Sequence, residues 1–360
     1  MTTYLLAGGG TAGHVNPMLA VADGLRERHP DDEVLILGTA EGLESRLVPA
    51  RGYELLIVPK VPFPRRPDAD AIRFPSRFSR AVKMVRGYLR DRGVDVVLGV
   101  GGYAAAPAYI AAKRERIPAV VHEANARPGL ANVLGARSAA AVGVAFAGTP
   151  LKRSDVVGMP LRTEIVELDR DATRAEAAQH FGLDPDRPVL LAFGGSLGAR
   201  RINETLAGSW RDIVDAGWQV LHATGEKNDT PTSPDASYVA VPYLDRMDLA
   251  FALADLVVAR AGASTVSEIS ALSIPAIYIP YPVGNGEQRL NAASAVDRGA
   301  ARLIDDAEFT PERVRSEIVS LLADDDALAR MRAAAEVEGT RHGTENVIAH
   351  LDRALQKERP

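Results

Sequence analysis

Short apolar runs alternate with longer, mixed stretches along the first half of the chain. These runs read TTYLLA, EVLILG, DVVLGV, PAVVHE and AAVGVA, and stretches long enough for a helix separate them. Continuous apolar runs of about four to eight residues are typical of strands that are buried on both faces. Because strands that alternate with helices pair in parallel, the pattern predicts a doubly wound α/β domain.

The second half repeats this arrangement. DRPVLLAF precedes a glycine turn and a helix, and WQVLHATG, SYVAVPYL, LADLVVA and AIYIP supply further strands. AAVGVA is then the last strand of the first half, and Gly158 in DVVGMPLR marks the passage to the second. We predict two Rossmann-like domains that face each other across a cleft, formed by residues 1–158 and 159–339. The amphipathic segment at 340–360 is expected to pack back on the first domain.

Composition narrows the function classes. The chain has 360 residues, 46% of them apolar, which suffices for two cores. It has no cysteine, which excludes a disulfide and a thiolate nucleophile or metal site and suits a reducing compartment. The net charge of −5 disfavours a general nucleic-acid binder. No apolar run reaches about 18 residues, so we expect neither a signal peptide nor a membrane-spanning helix.

The first glycine turn, GGGTAGH, lies between a predicted strand and a predicted helix. Its GxGxxG spacing matches the dinucleotide fingerprint, but the next strand ends in Gly38-Thr39 instead of the acidic residue that binds an adenosine ribose. A dehydrogenase is therefore disfavoured. His14 would lie at the start of the helix, where the helix dipole favours a neutral imidazole that can accept a proton. The alternative is a structural histidine that caps the turn.

Other polar residues also follow predicted strands. His122, Glu123 and Asn125 come at the carboxyl end of PAVVHE, and open α/β sheets bind their ligands at that edge. In the second half, GGSLG at 194–198 follows a strand, in the position of a phosphate-binding turn. Two such glycine turns on two sheets imply two domains of comparable design.

The segment RAGASTVSEIS follows a strand as well, and it supplies glycine for a turn and a hydroxyl for the predicted N-cap of a helix. The amino end of that helix would favour a phosphate. Thr265 and Glu268 also have the spacing of a capping box, in which Glu268 would bind only the N-cap amide. Gln288 and Asn291 lie three positions apart on the next predicted helix, as ligand-binding residues or as ordinary surface residues.

Taken in order, these motifs resemble those of one family. GGGTAGH, VGGYAAAP, HEAN, GMPLR, FGGSLGAR, RAGASTVSE and EQRLNA follow one another across nearly the entire chain. The set is similar to that of the GT-B glycosyltransferases of peptidoglycan synthesis, in glycosyltransferase family 28. The resemblance implies transfer of N-acetylglucosamine from UDP-N-acetylglucosamine (UDP-GlcNAc) to undecaprenyl-diphosphate-N-acetylmuramoyl-pentapeptide (lipid I), which forms lipid II.

The resemblance also implies partners and a location. The expected substrates are UDP-GlcNAc and lipid I, with no cofactor, no metal ion and no nucleic acid. The protein would work at the cytoplasmic face of the cell membrane, as a peripheral protein on the inner leaflet. Contacts with other cell-wall synthesis proteins are expected there.

Position by position, the resemblance assigns many loop residues to the substrates. Glu268 would hold the ribose hydroxyls, Leu244 would lie at the uracil, and Ser196 would bind the donor diphosphate. The full set expected to contact UDP-GlcNAc is Thr11, Ala12, Gly13, Asn125, Arg162, Ser196, Leu244, Ala263, Ser264, Thr265, Val266, Ser267, Glu268, Gln288 and Asn291. The residues expected at the acceptor diphosphate are Gly10, Gly13, Gly101 and Gly102. Ala12 and Glu287 depart from the glycine and glutamine that are usual in the family.

The expected reaction needs charge stabilisation and a base. Glycine-turn amides and a helix dipole can stabilise a leaving nucleoside diphosphate without a metal ion. His14 is the first candidate for the base that activates the acceptor alcohol, and Glu123 is the second, with inversion at the anomeric carbon. Metal-dependent sugar transferases usually carry Asp-x-Asp after a strand. The three such pairs here do not follow apolar strands: Asp68 and Asp70, Asp169 and Asp171, and Asp184 and Asp186.

One stretch is strongly basic. Between Lys60 and Arg92 the chain has ten Lys or Arg against three Asp. An apolar stripe runs through it, and cations flank this stripe, as in helices that bind an anionic leaflet. Val82, Val85 and Leu89 of the stripe are interpreted as core residues. The residues expected to contact the membrane are Arg73, Phe74, Arg77 and Phe78.

Two other function classes stay open at this point. A related transferase that acts on another lipid, or an enzyme that epimerises the donor sugar, would keep the nucleotide half and change the acceptor half. A non-catalytic UDP-sugar sensor would bind the donor without turnover. His14 beside the glycine turn argues against the sensor.

Overall fold

The computed structural model describes residues 1–64, 69–195, 198–232, 235–283 and 285–356. The chain forms two compact units. Unit 1 comprises Met1–Arg162 together with the C-terminal segment from Arg341, and unit 2 comprises Thr163–Thr340. Each unit contains one parallel sheet with helices around it. The predicted α/β class, with two doubly wound Rossmann-like domains, is confirmed.

The sheet of unit 1 has seven parallel strands, in the order β3-β2-β1-β4-β5-β6-β7. The order reverses between β1 and β4, so the loops after these two strands diverge at the switch point where open α/β sheets bind ligands. The strands are β1 Thr3–Ala7, β2 Glu33–Gly38, β3 Glu54–Ile57, β4 Val96–Gly99, β5 Ala119–Glu123, β6 Ala141–Val144 and β7 Ser154–Val156.

The sequence pattern missed both edge strands of this sheet. The prediction that AAVGVA is the last strand of the first half is wrong, because β7 pairs in parallel with β6 beyond it. β7 has only three residues, and its Asp155 and Val156 are exposed. A short edge strand with an exposed face lacks the continuous apolar run by which buried strands are recognised.

Helices cover both faces of this sheet, because successive strand residues point to opposite sides. Leu5 and Ala7 belong to one core with α3 and α4, and Tyr4 and Leu6 belong to another with α1 and the C-terminal helix. Full burial of a leucine contributes about 1.5 to 3 kcal/mol. The helices of unit 1 are α1 Ala12–Arg28, α2 Glu44–Ala50, α3 Ala69–Asp91, α4 Ala105–Glu115, α5 Leu130–Ala136 and, from the chain's end, Gly343–Gln356.

The sheet of unit 2 has six parallel strands, in the order β10-β9-β8-β11-β12-β13. Its switch point lies between β8 and β11, so the turns after these strands form the expected ligand edge. β13 was not predicted from the sequence. The strands are β8 Val189–Phe193, β9 Gln219–Ala223, β10 Tyr238–Val241, β11 Ala254–Ala259, β12 Ala276–Tyr278 and β13 Ala301–Leu303.

The helices of unit 2 include short segments as well as long ones. A 3-10 turn at Asp306–Glu308 and a π-helical segment at Val314–Val319 interrupt the α-helical regions. Over the described residues, no helix combines the length and apolar character needed to cross a bilayer. The α-helices are α6 Thr163–Val166, α7 Arg170–Phe181, α8 Arg200–Ala207, α9 Trp210–Asp215, α10 Met247–Leu253, α11 Ala263–Ala271, α12 Glu287–Asn291, α13 Ala293–Asp297, α14 Pro311–Arg313, α15 Ser320–Leu322 and α16 Asp325–Glu338, and the C-terminal helix of unit 1 is α17.

Candidate active site

His14 lies in the first turn of α1, directly after the glycine turn that follows β1. Its Nδ1 is 3.3 Å from the hydroxyl oxygen of Thr11, the N-cap residue of the helix. The ring also contacts the loop after β4, because a Cβ on Gly101 would lie only 2.9 Å from Nε2. The imidazole therefore occupies the switch point of the unit 1 sheet, where a ligand is expected.

The environment of His14 favours the neutral ring. Burial lowers the pKa of His14 below 6.5, while the charge of Glu123, the carbonyl of Gly9 and the charge of Glu44 act in the opposite direction. Desolvation is the strongest of these effects because it penalises the imidazolium. A neutral imidazole near pH 7 can accept a proton, which is the state that a general base needs.

The second base candidate, Glu123, is buried, and both of its carboxylate oxygens accept hydrogen bonds. One carboxylate oxygen accepts a hydrogen bond from the amide of Asn125, over 2.9 Å. The other accepts hydrogen bonds from the amide of Gly129 and the side-chain amide of Asn132, each over 2.9 Å. Asn132 in turn accepts from the buried Tyr109 hydroxyl. These contacts hold the loop after β5, so the geometry favours His14 over Glu123 as the base.

The glycine turn after β1 and the glycine pair after β4, Gly101 and Gly102, contact each other through their main chains. A Cβ on Gly102 would overlap the main chain of Gly9, and Gly102 itself has φ +81°. Only glycine satisfies both requirements without strain. The predicted acceptor residues Gly101 and Gly102 therefore lie beside Gly9 and His14, at one end of the sheet.

Glu44, which no sequence motif singles out, lies beneath the first glycine turn. Its side chain is fully buried. One carboxylate oxygen accepts from the Gly10 amide over 2.7 Å, and the other accepts from the amide and hydroxyl of Thr39 over 2.9 and 2.8 Å. Burial raises the pKa of Glu44, but the hydrogen bonds from Gly10 and Thr39 outweigh it and the net pKa is lowered. The carboxylate is therefore ionised, and the Gly10 amide is already occupied.

In unit 2 a cavity of about 710 Å³ opens at the switch point of the sheet. This volume lies in the range of sites for small molecules and cofactors. The turn after β8, the start of α8 and the start of α11 all border it. Two helix amino ends thus converge on one cavity, which suits an anionic ligand. Its lining includes Gly194, Gly195, Gly198, Arg200, Arg201, Gly262, Thr265, Tyr281 and Gln288.

Arg260 also lines this cavity, and the sequence analysis did not single it out. Its guanidinium donates to the carbonyl of Ile279 over 2.9 Å and lies 2.6 Å from a carboxylate oxygen of Asp306. The guanidinium is 5.6 Å from the ring centre of Tyr281. Arg260 directly follows β11, so its position at a strand's carboxyl end is the signal that could have identified it.

The start of α11 differs from the predicted start. The N-cap is Gly262 and makes no side-chain cap bond, so Thr265 lies inside the first turn. The capping-box interpretation of Thr265 and Glu268 is therefore wrong, because the helix begins three residues earlier than that motif requires. The hydroxyl of Ser264 is buried and has no hydrogen-bond partner among the described residues.

The other residues expected at the donor take several positions in unit 2. Gln288 accepts from the Tyr281 amide over 2.9 Å and lines the cavity. Asn291 is buried and donates to the carbonyl of Ala261, so it is not an ordinary surface residue. Leu244 is buried between β10 and α10, and the Val266 side chain belongs to the core. Ala263, Ser267 and Glu268 lie along α11.

Several expected donor residues belong to unit 1 instead. Thr11 and Gly13 lie at the start of α1, as does the backbone of Ala12. Asn125 follows β5, and Arg162 ends the first segment of the unit. Ser196 lies outside the described residues.

The apolar stripe of α3 divides into two parts. Val82, Val85 and Leu89 are fully buried, as the core interpretation predicted. Phe74 and Phe78 are half-buried and stack on each other with ring centres 5.4 Å apart, packed with Phe63 against the same core. Ile72 of the same helix is exposed at 83%, and Arg73 and Arg77 are exposed as well, with Arg77 paired to Asp70 over 3.5 Å.

The described part of the chain contains no group of three or more carboxylate or imidazole side chains placed to hold a metal ion. Asp169 and Asp184, from two of the Asp-x-Asp pairs, have local roles. Asp169 caps α7 by accepting from the Ala172 amide, and Asp184 accepts from the Asp186 amide. Asp68, from the third pair, lies outside the described residues.

Comparisons with known proteins agree with this geometry. Residues 4–144 match the glycosyltransferase family 28 N-terminal domain, and residues 189–347 match the family 28 C-terminal domain. A protein of Leifsonia xyli subsp. xyli, named UDP-N-acetylglucosamine–N-acetylmuramyl-(pentapeptide) pyrophosphoryl-undecaprenol N-acetylglucosamine transferase, is 57% identical over 99% of both chains. A protein of the same name from Mycolicibacterium smegmatis is 52% identical over 94% of this chain and 90% of its own.

Solved structures give the same result. The crystal structure of Acinetobacter baumannii MurG superposes with a TM-score of 0.81 at 27% identity, over 98% of this chain and 100% of that one. The family models cover both Rossmann-like units, and the relatives span nearly the whole chain. The chain therefore belongs to glycosyltransferase family 28, the family that its ordered motifs predicted.

Proposed function

We propose that this protein transfers N-acetylglucosamine from UDP-GlcNAc to lipid I, with inversion at the anomeric carbon, to form lipid II. The observation that carries the proposal is the 57% identity across 99% of both chains with a relative named for this transfer. Two groups of residues supply the chemistry in this proposal: a base in unit 1 and an anion-binding cavity in unit 2.

His14 of unit 1 is the proposed base. It takes the proton of the acceptor hydroxyl as that oxygen forms a bond to the anomeric carbon, while the bond from this carbon to the diphosphate breaks. The lowered pKa keeps the ring neutral before the reaction. Glu123 supplies negative charge that stabilises the imidazolium afterwards.

The cavity of unit 2 is the proposed donor site. The amino ends of α8 and α11, with Arg200, Arg201 and Arg260, provide positive potential for the diphosphate as negative charge grows on it. Glu268 on α11 is proposed to hold the ribose hydroxyls, and Gln288 to contact the sugar. The leaving UDP would thus be stabilised by this chain's own groups.

We further propose that unit 1 contacts an anionic lipid surface through the exposed part of α3. Ile72 presents apolar area to solvent, and Arg73 and Arg77 lie beside it. Such a combination is favourable at a leaflet, because apolar insertion and attraction of cations to anionic headgroups add together. Phe74 and Phe78 support this surface from beneath, since they are packed on the core.

The proposed reaction is tested by measuring UDP release from UDP-GlcNAc with and without lipid I. We expect acceptor-dependent UDP release, together with a product that carries one added N-acetylglucosamine. Donor consumption without acceptor, or formation of an epimerised UDP-sugar, would contradict the proposal. Donor binding with no turnover under either condition would identify a sensor instead.

The membrane contact is tested by Ile72→Ser, with Val156→Ser as the control. Val156 is an exposed apolar residue of the edge strand β7, away from the basic stretch. Loss of one inserted isoleucine is expected to weaken binding to anionic vesicles by about tenfold or more. Activity on a short water-soluble acceptor analogue should stay unchanged. Equal vesicle binding by both variants would place the contact elsewhere.

A further inference from the structure

The buried carboxylate of Glu44 has no direct place in the chemistry proposed above, yet the surrounding chain is shaped around it. A side chain on Gly9, Gly38 or Gly42 would overlap Glu44, so three glycines leave the space that it fills. The carboxylate is fully buried and ionised, and it receives three hydrogen bonds. Burial of a charge is costly unless it is fully hydrogen-bonded, so this arrangement requires a reason.

One of these hydrogen bonds reaches the peptide group between Gly9 and Gly10. The N–H of that group, on Gly10, donates to Glu44. Its carbonyl, on Gly9, lies near enough to the His14 ring to raise the pKa of the imidazole. In a trans peptide the N–H and the carbonyl point in opposite directions. Glu44 therefore holds one side of a rigid group whose other side faces His14.

This peptide group would otherwise be easy to rotate, because glycine lies on both sides of it and lacks the Cβ that restricts φ. Rotation by half a turn would aim the Gly9 carbonyl at the Glu44 carboxylate and the Gly10 N–H at His14. The ionised carboxylate opposes that state, since it would face a carbonyl oxygen instead of a donor. The observed orientation favours the neutral His14 tautomer whose N–H faces the Gly9 carbonyl, which leaves the other ring nitrogen unprotonated and able to accept a proton.

We propose that Glu44 is a positioning residue for His14, acting through the Gly9–Gly10 peptide group that it holds in one orientation. The inference rests on the proposed role of His14 as the base. Glu44 does not touch the substrate in this scheme. It selects the ring orientation and tautomer in which the imidazole can take the acceptor's proton.

The test is Glu44→Gln, with Glu41→Gln as the matched control. Glu41 lies three residues earlier, in the turn that leads into α2, and its side chain is exposed. Glutamine keeps the shape but has one accepting oxygen and no charge, so the rotated peptide group is no longer opposed. We expect kcat to fall by about 10- to 100-fold, as for other misplacements of reacting groups, with KM for UDP-GlcNAc within about twofold.

The tautomer and the pKa of His14, both followed by NMR, provide two readouts: loss of the Glu44 charge by itself lowers the pKa, whereas only loss of the held peptide orientation changes the tautomer. The charged groups acting on His14 are Glu123 from β5 and Glu44, the first residue of α2. Because the Glu44 charge and the Gly9 carbonyl both raise this pKa, it should fall in Glu44→Gln. The acid limb of kcat should move to lower pH by the same amount. Glu41→Gln should change neither quantity.

Glu44→Asp keeps the test decisive if Glu44→Gln does not fold. It keeps the negative charge but shortens the side chain, which withdraws the accepting oxygen from the Gly10 amide, so kcat should fall although the charge near His14 remains. A lower melting temperature with unchanged kcat and unchanged His14 pKa would overturn the inference. If His14→Ala retains full turnover, the proposed base is wrong, while the NMR titration still decides whether Glu44 acts on His14.

Discussion

The glycine turns after β1 and β8 occupy equivalent places in their sheets but have different electrostatic surroundings. Behind the first turn lies the ionised carboxylate of Glu44, and His14 follows at the start of α1. The second turn borders a cavity that is lined by three arginines, Arg200, Arg201 and Arg260, and by the acidic residues Glu204 and Asp306. Both turns precede a helix amino end, which by itself favours an anion.

The difference teaches that a glycine turn before a helix does not by itself define a phosphate site. In the first turn the Gly10 amide is occupied by a protein carboxylate, and we propose that the turn orients a base. In the second turn, the positive potential of the helix amino ends adds to the charge of the arginines around the cavity. We infer that the first turn handles a proton and the second handles the diphosphate.

The largest expected effect is that of His14→Ala. Loss of the base should lower turnover on lipid I by about two to four orders of magnitude, with little change in the affinity for UDP-GlcNAc. Steady-state kinetics and calorimetric donor binding measure the two quantities. His29→Ala, at the other end of α1, serves as the control. If donor affinity falls together with turnover, the division of labour between the two turns is wrong.

Glu268→Ala probes the donor side and should have an intermediate effect. It would leave the ribose hydroxyls unpaired, so UDP-GlcNAc binding should weaken by about 1 to 3 kcal/mol. Calorimetry on the variant gives this value, and its melting temperature shows whether the fold is kept. Unchanged affinity with reduced stability would assign Glu268 a structural role in α11.

The smallest expected effect is a difference in stability between two glycine substitutions. Gly195 has φ +89°, and no described residue beyond its chain neighbours comes within 4 Å of its Cβ position, so alanine there should cost only the left-handed strain of about 1 to 2 kcal/mol. Gly9→Ala should cost about 1 to 3 kcal/mol more, because the new Cβ would displace the Glu44 carboxylate. Denaturant unfolding measures both free energies.

Gly52→Ala is the control for this pair, since Gly52 has φ +76°, open space and no part in either turn. It should behave like Gly195→Ala. Equal losses for Gly9→Ala and Gly195→Ala would show that Glu44 can leave its place at no cost, which would weaken the contrast between the turns.

The sequence by itself determined the α/β class, most strands of both sheets and the family. Continuous apolar runs such as those of β1 and β8 mark strands buried on both faces, and the signal is local, so no tertiary contact is needed to detect it. The polar residues after these strands, including His14 and Glu123, could be proposed for the same reason, because strand ends define the ligand edge.

Only the tertiary structure decided what those residues contact. Glu44 meets Gly10 across 34 positions of sequence, and its segment, EGLESR, reads as an ordinary exposed turn. Asn132 likewise reaches Glu123 only through the folding of the loop after β5. Such hydrogen bonds depend on the packing of several elements at once, so neither spacing nor periodicity encodes them locally. The fold brings the carboxylate under the first turn, and that contact distinguishes two turns that look alike in the sequence.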